Sequence, residues 1–443
     1  MSDSTASHPI WSNRLTYILA TTGAAVGLGN IWKFPYIAGE NGGGAFVLMY
    51  LLCILLLGIP IMVAEVMLGR KGRANPVHAM LTQARSAGVS KGWSLIGIMG
   101  VAAGIMILMY YSVVAGWSLE YVFQSATSSY IGKSPTDVAA GFGVLAQDTT
   151  RQLIWHSAFI SVTAFIVGLG VTRGIGNAVN ILMPMLFMLL LLLLWYAYNN
   201  GEFMRGLTFM FSADFSKLTG ASLLTAMGHA FFTLSLGMGT VMVYGSYMPE
   251  SQSIPSASVT VAFLDTLIAL VAGMAIFPLV FASGLEPGSG PGLLFETLPI
   301  AFSDMWGGAF FGTGFFVLVS IAALSSSISL IEPGIAWLEK LGITRIKATV
   351  GLALLCWIGG VASIYSVDVF STLDYLTANI MLPLGGLLIA LFVGWRLGYT
   401  RVRKEITGVS NGLFNIWFVV LRFITPIGVI VVFYESIKGL FSA

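Results

Sequence analysis

Long apolar segments alternate with short polar segments along almost the whole chain. A helix needs about 20 mostly apolar residues to cross a lipid bilayer. Segments of roughly that length lie at 15–38, 45–68, 94–124, 152–170, 178–199, 223–247, 257–284, 309–339, 346–366, 371–395 and 414–437. The pattern predicts an all-α integral membrane protein with about 11 transmembrane helices, which we number as spans one to eleven.

Composition places this protein in lipid rather than in water. Of its 443 residues, 57% are hydrophobic and only 9% are charged, whereas soluble domains carry roughly 25% charged residues. So few charges cannot cover a globular surface that faces water. The net charge of +2 is small and spread through the loops, so no nucleic-acid partner is expected. Cys53 and Cys356 both lie in apolar segments and are expected to be unpaired thiols.

Basic residues predict how the chain is oriented in the membrane. Lysine and arginine concentrate in the cytoplasmic loops of membrane proteins. The loops after spans two, four, eight and ten fall on one side and hold most of them: Arg70, Lys71, Arg73, Arg85, Lys91, Arg173, Lys340, Arg345, Lys347, Arg396, Arg401, Arg403 and Lys404. The N-terminus is therefore expected in the cytoplasm, and an odd number of spans places the C-terminus outside.

The first span is predicted to break in its middle. The stretch GAAVGLGNIWKFP, residues 23–35, places Gly23, Gly27, Gly29 and Asn30 at the centre of an apolar segment. A broken helix leaves backbone N–H and C=O groups unpaired, and hydrocarbon tolerates such groups only where they line a polar cavity. The alternative is that the glycines only allow close helix packing, which does not account for Asn30.

Span six carries a similar interruption. In HAFFTLSLGMGT, residues 229–240, polar and glycine residues stand where an unbroken span would be apolar: Thr233, Ser235, Gly237 and Gly239. Interrupted helices at corresponding positions of two halves indicate a transporter with an inverted repeat. We therefore expect residues 1–443 to form one transporter domain with a 5+5 repeat. Its halves would be 15–199 and 223–395, with span eleven (414–437) added.

Two further polar features of the apolar segments indicate a cation site. Span seven carries Asp265 with no basic residue within one helical turn, and a charge at membrane depth indicates function. The alternative is a protonated or hydrogen-bonded carboxyl. Span eight contains LSSSI, residues 324–328, whose hydroxyls could instead bond to their own helix backbone. Oxygen donors favour a hard cation, and a single carboxylate favours a monovalent ion over calcium.

The chain resembles the neurotransmitter:sodium symporter family, and in particular its bacterial sodium-dependent amino-acid transporters. The resemblance runs from Trp11 to span eleven and rests on WSNRLTYILA, AVGLGNIWKFPY, ENGGGAF, GIPIMVAEVMLGR, FFTLSLGMG and LSSSI. That family is itself a standard example of broken helices and inverted repeats. The resemblance also implies site residues, position by position along the chain.

The resemblance implies two Na⁺ sites. The first would also use the substrate carboxylate, and its protein ligands would be the Ala25 carbonyl, Asn30, Thr233 and Asp265. The second would consist of the Gly23, Val26 and Ala322 carbonyls with the Ser325 and Ser326 hydroxyls. Chloride-dependent members carry a neutral residue where Asp265 stands, so the resemblance also implies chloride independence.

The implied substrate site lies between the broken helices. The substrate carboxylate would be bound by the amides of Leu28 and Gly29 and the hydroxyl of Tyr111. The ammonium group would meet the carbonyls of Ala25, Phe232 and Thr233 and the hydroxyl of Ser235. The side-chain pocket would be formed by Ile107, Tyr111, Phe232, Met238, Ser326 and Leu330.

Gates are implied on both sides of that site. Lys33 and Asp374 would form the external pair, with Phe232 closing over the substrate. Lysine lacks the two-pronged geometry of the arginine that is usual there, so the gate would be looser. His8 and Lys340 stand at the positions of the cytoplasmic ion pair, where Glu339 or another group would have to substitute.

These features predict a sodium-coupled symporter of neutral hydrophobic L-amino acids, aliphatic or aromatic, that works by alternating access. No acidic residue lies near Ala24, where amine-transporting relatives carry an aspartate, so the substrate should bring its own carboxylate. The protein is expected in the bacterial inner membrane as a multi-pass monomer or weak homodimer. A channel and a sensor that binds without transport are the alternatives. An intramembrane enzyme is disfavoured because HExxH does not occur and no single span holds a convincing pair of titratable residues.

Overall fold

The computed structural model describes residues 9–286 and 292–442, and this part of the chain is helical with no β-strand. Its α-helices are Arg14–Ala25, Phe34–Glu40, Gly44–Cys53, Ile59–Gly72, Pro76–Ala87, Leu95–Ala126, Pro135–Gln147, Thr149–Gly168, Asn177–Asn200, Phe203–Phe211, Gly220–Thr233, Thr240–Ser246, Ile254–Ala282, Leu298–Asp304, Gly308–Lys340, Arg345–Tyr365, Val367–Tyr375, Leu382–Leu391, Tyr399–Glu405, Asn411–Val419 and Thr425–Ser442. The prediction of an all-α membrane protein is confirmed.

Wider π-helical turns link several of these helices into continuous rods. They are Gly29–Lys33, Ile54–Gly58, Val171–Gly176, Leu293–Thr297, Leu376–Met381, Phe392–Leu397 and Val420–Ile424, and the short 3₁₀ turns are Lys91–Ser94 and Phe215–Lys217. A π-turn inserts one residue into the helical ladder and often marks a functional position.

Eight helical runs in the described ranges are long and apolar enough to cross a membrane. They are Gly44–Gly72, Lys91–Ala126, Val171–Asn200, Ile254–Ala282, Gly308–Lys340, Arg345–Tyr365, Val367–Leu397 and Asn411–Tyr434. Each coincides with one of the predicted spans. The run that forms span eight is the most buried of them, so it lies at the centre of the bundle.

The other three predicted spans are also helical but differ in character. Spans one and six are interrupted, as the sequence predicts, and neither half is long enough to cross alone. Span four is the unbroken helix Thr149–Gly168, whose hydropathy is lowered by Arg151, Gln152 and His156 near its start. The division into repeats at 15–199 and 223–395 stays a prediction.

Several span boundaries and loop helices differ from the sequence expectation. Span five begins at Val171 rather than at 178, because its glycine-rich first turns adopt a π-helix that resembles a loop in sequence. Spans ten and eleven begin at Val367 and Asn411, a few residues earlier than expected. Helices such as Pro76–Ala87 and Pro135–Gln147 lie between spans. They are too short and too polar to register as spans, so the search for apolar segments missed them.

Close packing of spans three and eight fixes one wall of the interior. Gly104 of span three lies directly against span eight, and a Cβ at this residue would be 2.8 Å from the Leu330 carbonyl oxygen. The two helices can therefore approach each other closely. Span eight in turn packs on the first half of span one, which brings the serine run next to the first helix break.

Candidate functional site

Span one loses its helical hydrogen bonding for about one turn. Its first helix ends at Val26, where the backbone is extended (φ −73°, ψ 108°), and helical turns resume at Gly29. Gly27 lies between them and faces two side chains at very short range. A Cβ here would be 2.5 Å from the hydroxyl oxygen of Ser326 and 2.9 Å from that of Tyr111. The break therefore places bare backbone beside polar groups of spans three and eight.

Span six is interrupted by the six residues Leu234 to Gly239. Gly237 (φ 75°) and Gly239 (φ 76°) adopt the left-handed conformation, which costs glycine little, and Ser235 (φ 54°) adopts it as well. Space also demands a glycine, because a Cβ at Gly237 would lie 2.4 Å from the Leu382 carbonyl oxygen. The second break is thus built from backbone conformations that a regular helix does not contain.

Glu65 in span two ties down the interruption of span six. Its Oε1 accepts a hydrogen bond of 2.7 Å from the Gly237 N–H, and the residue is completely buried. Sequence reasoning missed this role, although Glu65 is a carboxylate in an apolar span. The criterion that singled out Asp265 would have found it.

Asp265 gathers neutral donors from three other spans. Its Oδ1 accepts from Asn30 Nδ2 at 2.7 Å and from Thr233 Oγ1 at 2.9 Å, and its Oδ2 accepts from the Tyr50 hydroxyl at 3.4 Å. Asp265 is 0% exposed. No lysine, arginine or histidine nitrogen of the described residues lies within ion-pair distance, 4.0 Å, of its carboxylate. The cluster is therefore a buried carboxylate with hydrogen bonds but without a counter-charge.

Asn30 connects this cluster to the break of span one. Its Oδ1 accepts a 3.0 Å hydrogen bond from the Gly27 N–H, while Nδ2 also donates to the Asp265 carbonyl oxygen at 3.1 Å. One amide thus holds a free backbone N–H of the break and the carboxylate in a single network. These contacts explain why an asparagine occurs at this position of an otherwise apolar span.

The serine run divides between two roles. Ser326 points at the break of span one, with its Oγ 3.3 Å from the Val26 carbonyl oxygen and 3.5 Å from that of Gly23. Ser325 donates to the Ala322 carbonyl oxygen of its own helix at 3.0 Å. Ser327 donates to its own backbone as well and faces away from the break. Backbone bonding, the alternative considered for these serines, therefore describes Ser325 and Ser327, whereas Ser326 reaches across to span one.

An interior cavity lies between the two breaks. Nine of the eleven residues predicted to contact substrate line it: Ala25, Gly29, Ile107, Tyr111, Phe232, Ser235, Met238, Ser326 and Leu330, joined by Ala24 and Gly27. The other two lie just outside. Thr233 turns towards Asp265, and the Leu28 N–H donates to the Tyr111 hydroxyl at 3.3 Å.

One predicted polar contact has a different partner in the structure. The Ser235 hydroxyl donates to the Ala24 carbonyl oxygen at 2.8 Å, so it bridges the two broken helices. Its oxygen keeps lone pairs, and it still lines the cavity. Most of the side chains that line the cavity are apolar.

A second cavity adjoins the first and shares Gly29, Tyr111 and Phe232 with it. Lys33 and Asp374, the predicted external gate, both line this vestibule. They form no ion pair within 4.0 Å. Instead the Lys33 ammonium lies 5.6 Å from the centre of the Phe232 ring. The side chains of Tyr111 and Phe232 therefore lie between the two cavities. Lys33 and Asp374 lie on the vestibule side of them and do not form an ion pair with each other.

The predicted cytoplasmic end is closed by aromatic and charged contacts. The backbone N–H of Trp11 donates to the Tyr247 carbonyl oxygen at 2.9 Å. The Tyr247 hydroxyl donates to the Glu332 carboxylate at 2.8 Å. Glu332 is fully buried and forms an ion pair of 2.5 Å with Arg345. His8 lies outside the described residues, and Glu339, the group expected to substitute at this end, pairs with Arg345 at 3.1 Å. The Glu332–Arg345 pair was not anticipated, although an intramembrane glutamate was again a visible signal.

His229 lies close to the Asp265 cluster without joining its hydrogen bonds. It is buried, and both ring nitrogens lack a hydrogen-bond partner among the described residues. Its ring packs on Phe34 and Tyr50, with centroid distances of 5.7 and 5.4 Å. Packing therefore holds this side chain beside Tyr50, itself a donor to Asp265.

Comparison with known proteins agrees with this architecture. The family model described as the sodium:neurotransmitter symporter family matches residues 8–136 and 147–442. An uncharacterized sodium-dependent transporter of Bacillus subtilis, YhdH, is 37% identical over 96% of this chain and 97% of its own length. An uncharacterized sodium-dependent transporter of Haemophilus influenzae is 35% identical over 96% of this chain and 98% of its own length.

One solved structure is similar over nearly the whole fold. The crystal structure of MhsT in complex with L-phenylalanine superimposes with a TM-score of 0.89, at 39% identity, over 97% of this chain and 99% of that chain. A more distant relative is the human sodium- and chloride-dependent neutral and basic amino acid transporter B(0+), 24% identical over 96% of this chain and 79% of its own length.

Proposed function

This chain belongs to the sodium:neurotransmitter symporter family, and we propose that it couples the inward movement of Na⁺ to uptake of neutral hydrophobic L-amino acids. Membership makes it a sodium-dependent membrane transporter.

The buried Asp265 carboxylate is the single observation that carries the proposal. An ionised group out of water needs a compensating charge, and leaving it unpaired is costly. Asp265 has three hydrogen-bond donors but no basic partner within reach in the described chain. A co-transported Na⁺ would supply that charge. Asn30, Thr233 and the Ala25 carbonyl offer the further oxygen ligands that a hard cation prefers.

The second proposed Na⁺ site lies between spans one and eight. The carbonyls of Gly23 and Val26 converge with the Ser326 hydroxyl. On span eight, the Ser325 hydroxyl is on the adjacent residue and donates to the Ala322 carbonyl oxygen, which is one helical turn before Ser326. All donors are oxygens and none is charged, which fits a monovalent cation. An ion here would hold the broken helix of span one against span eight.

The cavity chemistry supports an amino acid with an apolar side chain. Leu28 and Gly29 begin a helical segment, and the N–H groups at a helix start suit an anion. The Leu28 N–H now donates to the Tyr111 hydroxyl, which lies beside them. The remaining wall contains Ile107, Met238 and Leu330, without a charge to hold a charged side chain. MhsT was crystallised with L-phenylalanine, and a similar cavity here would take a comparable ligand.

The proposed coupling follows from shared ligands. In this scheme the substrate carboxylate completes the shell of the Na⁺ ion at Asp265, so each ligand improves the binding of the other. Such coupling is reciprocal for binding free energies. Alternating access would require Phe232 and Tyr111 to part on one side, and the Trp11–Tyr247–Glu332 contacts to part on the other.

Transport into sealed vesicles tests the proposal. Purified protein in proteoliposomes should accumulate radiolabelled leucine or phenylalanine when external Na⁺ is present, and much less when K⁺ or choline replaces it. Unlabelled tryptophan, leucine and phenylalanine should compete, whereas lysine, aspartate and the decarboxylated amine phenethylamine should not. Equal uptake in every cation would refute Na⁺ coupling. Binding without accumulation would indicate a sensor, and amino-acid-independent currents a channel.

Chloride is expected to have no effect on that uptake. Asp265 already places a negative charge beside the proposed Na⁺ ion, so a chloride ion would be superfluous there and would be repelled. Replacing chloride by gluconate at constant Na⁺ should leave the initial rate of uptake unchanged. A rate that falls several-fold in gluconate would show that Asp265 does not supply the compensating charge.

A further inference from the structure

Arg422 is a charged residue in the eleventh span that the transport site does not use. Its guanidinium carbon lies 4.4 Å from the centre of the Trp395 ring and 5.4 Å from that of Phe423. The Trp395 indole N–H donates to the Arg422 carbonyl oxygen at 3.0 Å. This bond locks the ring beneath the guanidinium, so the two side chains form one preorganised unit between spans ten and eleven.

No acidic side chain among the described residues neutralises this arginine. Its Nε is buried without a hydrogen-bond partner, and it forms no ion pair within 4.0 Å with any described residue. The carboxylates at the same end of the bundle are already engaged. Glu405 pairs with Lys71, Glu250 with Arg73, and Glu332 with Arg345. A charge inside a membrane span normally finds a partner, so the missing anion must come from outside the described chain.

The depth of Arg422 places it within reach of lipid headgroups. The Thr425 hydroxyl donates to the Leu56 carbonyl oxygen, and a Cβ at Gly428 would touch Leu57, near the middle of span two. Six residues separate Arg422 from Gly428, which is about 9 Å along a helix. Half the hydrocarbon layer is about 15 Å thick, and an arginine side chain can extend over the remaining distance to the interface.

The surroundings also fit an interface. Trp395 and Phe423 are about half exposed on the outer surface of the bundle, and tryptophan is enriched at headgroup level. The segment that follows Trp395, which comprises the end of span ten and the short helix Tyr399–Glu405, carries Arg396, Arg401, Arg403 and Lys404. A positively charged, lipid-facing surface with aromatic residues is therefore present at this end of spans ten and eleven.

We propose that Arg422 and Trp395 form a binding site for the phosphate group of a membrane phospholipid. The guanidinium offers several N–H donors in a planar fork that matches phosphate oxygens, and Trp395 keeps that fork in place. The lipid lies in the leaflet that faces the basic loops, and an anionic headgroup is preferred because the neighbouring loop is basic. This site is separate from the transport cavity and does not rest on the proposed substrate.

Native mass spectrometry of the purified full chain tests the assignment. Phosphatidylglycerol and phosphatidylcholine are titrated separately, and the apparent Kd of the most tightly bound lipid is measured. We expect tighter binding of phosphatidylglycerol, and a loss of about tenfold in Arg422→Met, which corresponds to about 1.4 kcal/mol. Arg396→Met is the matched control because it removes an exposed charge nearby without touching the stacked pair, and its effect should be much smaller.

Two further comparisons keep the proposal open to refutation. Arg422→Lys retains the charge but lacks the planar fork, so it should bind phosphatidylglycerol several-fold more weakly than the wild type; unchanged binding would overturn the role of the guanidinium. Equal losses in Arg396→Met and Arg422→Met would reduce the site to diffuse surface charge. Displacement of the lipid by millimolar inorganic phosphate would identify a free-anion site instead and overturn the assignment to lipid.

Discussion

Replacing Asp265 with asparagine is expected to abolish Na⁺-dependent accumulation of amino acid while leaving the fold intact. Asparagine has nearly the same shape and can still accept a hydrogen bond from Thr233, so the bundle should assemble. What disappears is the negative charge that the protein itself places beside the proposed Na⁺ ion. Removing one partner of a buried charge pair typically costs about 2–5 kcal/mol. The Na⁺ concentration for half-maximal uptake should therefore increase by a factor that lies between about thirty and several thousand.

The measurement is the Na⁺ dependence of amino-acid uptake into proteoliposomes, together with the Tm of the purified protein. Because burying an unpaired carboxylate is costly, the Tm of Asp265→Asn without Na⁺ should be equal to or above that of the wild type. Added Na⁺ should raise the Tm of the wild type by mass action and that of the variant by less. A remaining shift would report the second proposed site at Ser326.

Asp374→Asn is the matched control for this prediction. It makes the same chemical change in the outer vestibule, away from the Asp265 cluster, and should leave the Na⁺ dependence of Tm unchanged. If Asp265→Asn were to take up amino acid with the wild-type Na⁺ midpoint, Asp265 would not hold the ion. The protonated or hydrogen-bonded carboxyl would then be the correct interpretation.

The helix breaks and the buried aspartate could be predicted from the sequence because each violates a rule that lipid enforces. Gly27 and Asn30 interrupt an apolar span, and Asp265 places a carboxylate in a segment where burying a charge costs free energy. These signals are local and need no knowledge of the neighbours. The structure then brings the two breaks together around one cavity.

Contacts between distant segments could not be predicted in the same way. Whether a serine faces the cavity depends on the rotation of span eight, and the sequence LSSSI does not fix that rotation. Successive residues on a helix point about 100° apart, so only Ser326 of the three reaches the break in span one. The partner of Ser235 is likewise a carbonyl more than 200 residues away in the chain.

Glu65 and Glu332 show a different limit. Both are carboxylates in apolar spans, and the rule applied to Asp265 would have selected them. Their partners, however, are a bare backbone N–H in one case and the first residue of the next span in the other. The sequence therefore does not show that Glu65 binds the backbone of the span-six break or that Glu332 pairs with Arg345, whereas the structure does.

Removing Arg345 is expected to be the most destabilising single change at the predicted cytoplasmic end. Arg345→Met leaves Glu332 fully buried without its counter-charge, and such a loss typically costs about 3–5 kcal/mol. The same change loosens Tyr247, which donates to Glu332 and also holds the backbone of Trp11. We therefore expect a lower Tm and a shift of the surviving protein towards a conformation open on that side.

Thiol labelling measures the conformational part of this expectation. Ala24→Cys places a thiol in the wall of the interior cavity, while both native cysteines are buried. A membrane-impermeant maleimide applied to the predicted cytoplasmic face should label Ala24→Cys faster when Arg345→Met is also present. Arg151→Met is the control, because it breaks the ion pair with Glu120 at the opposite end and should lower Tm without increasing labelling from this face.

The double variant Glu332→Gln/Arg345→Met separates the ion pair from the packing around it. Glutamine keeps an acceptor for the Tyr247 hydroxyl and carries no charge, so most of the lost stability should return, as expected for residues that interact directly. If the double variant were as unstable as Arg345→Met alone, the bond from Arg345 to the Val167 carbonyl oxygen would be the important contact. If labelling stayed slow in every variant, these residues would stabilise the bundle without closing it, since a gate must open when its contacts are removed.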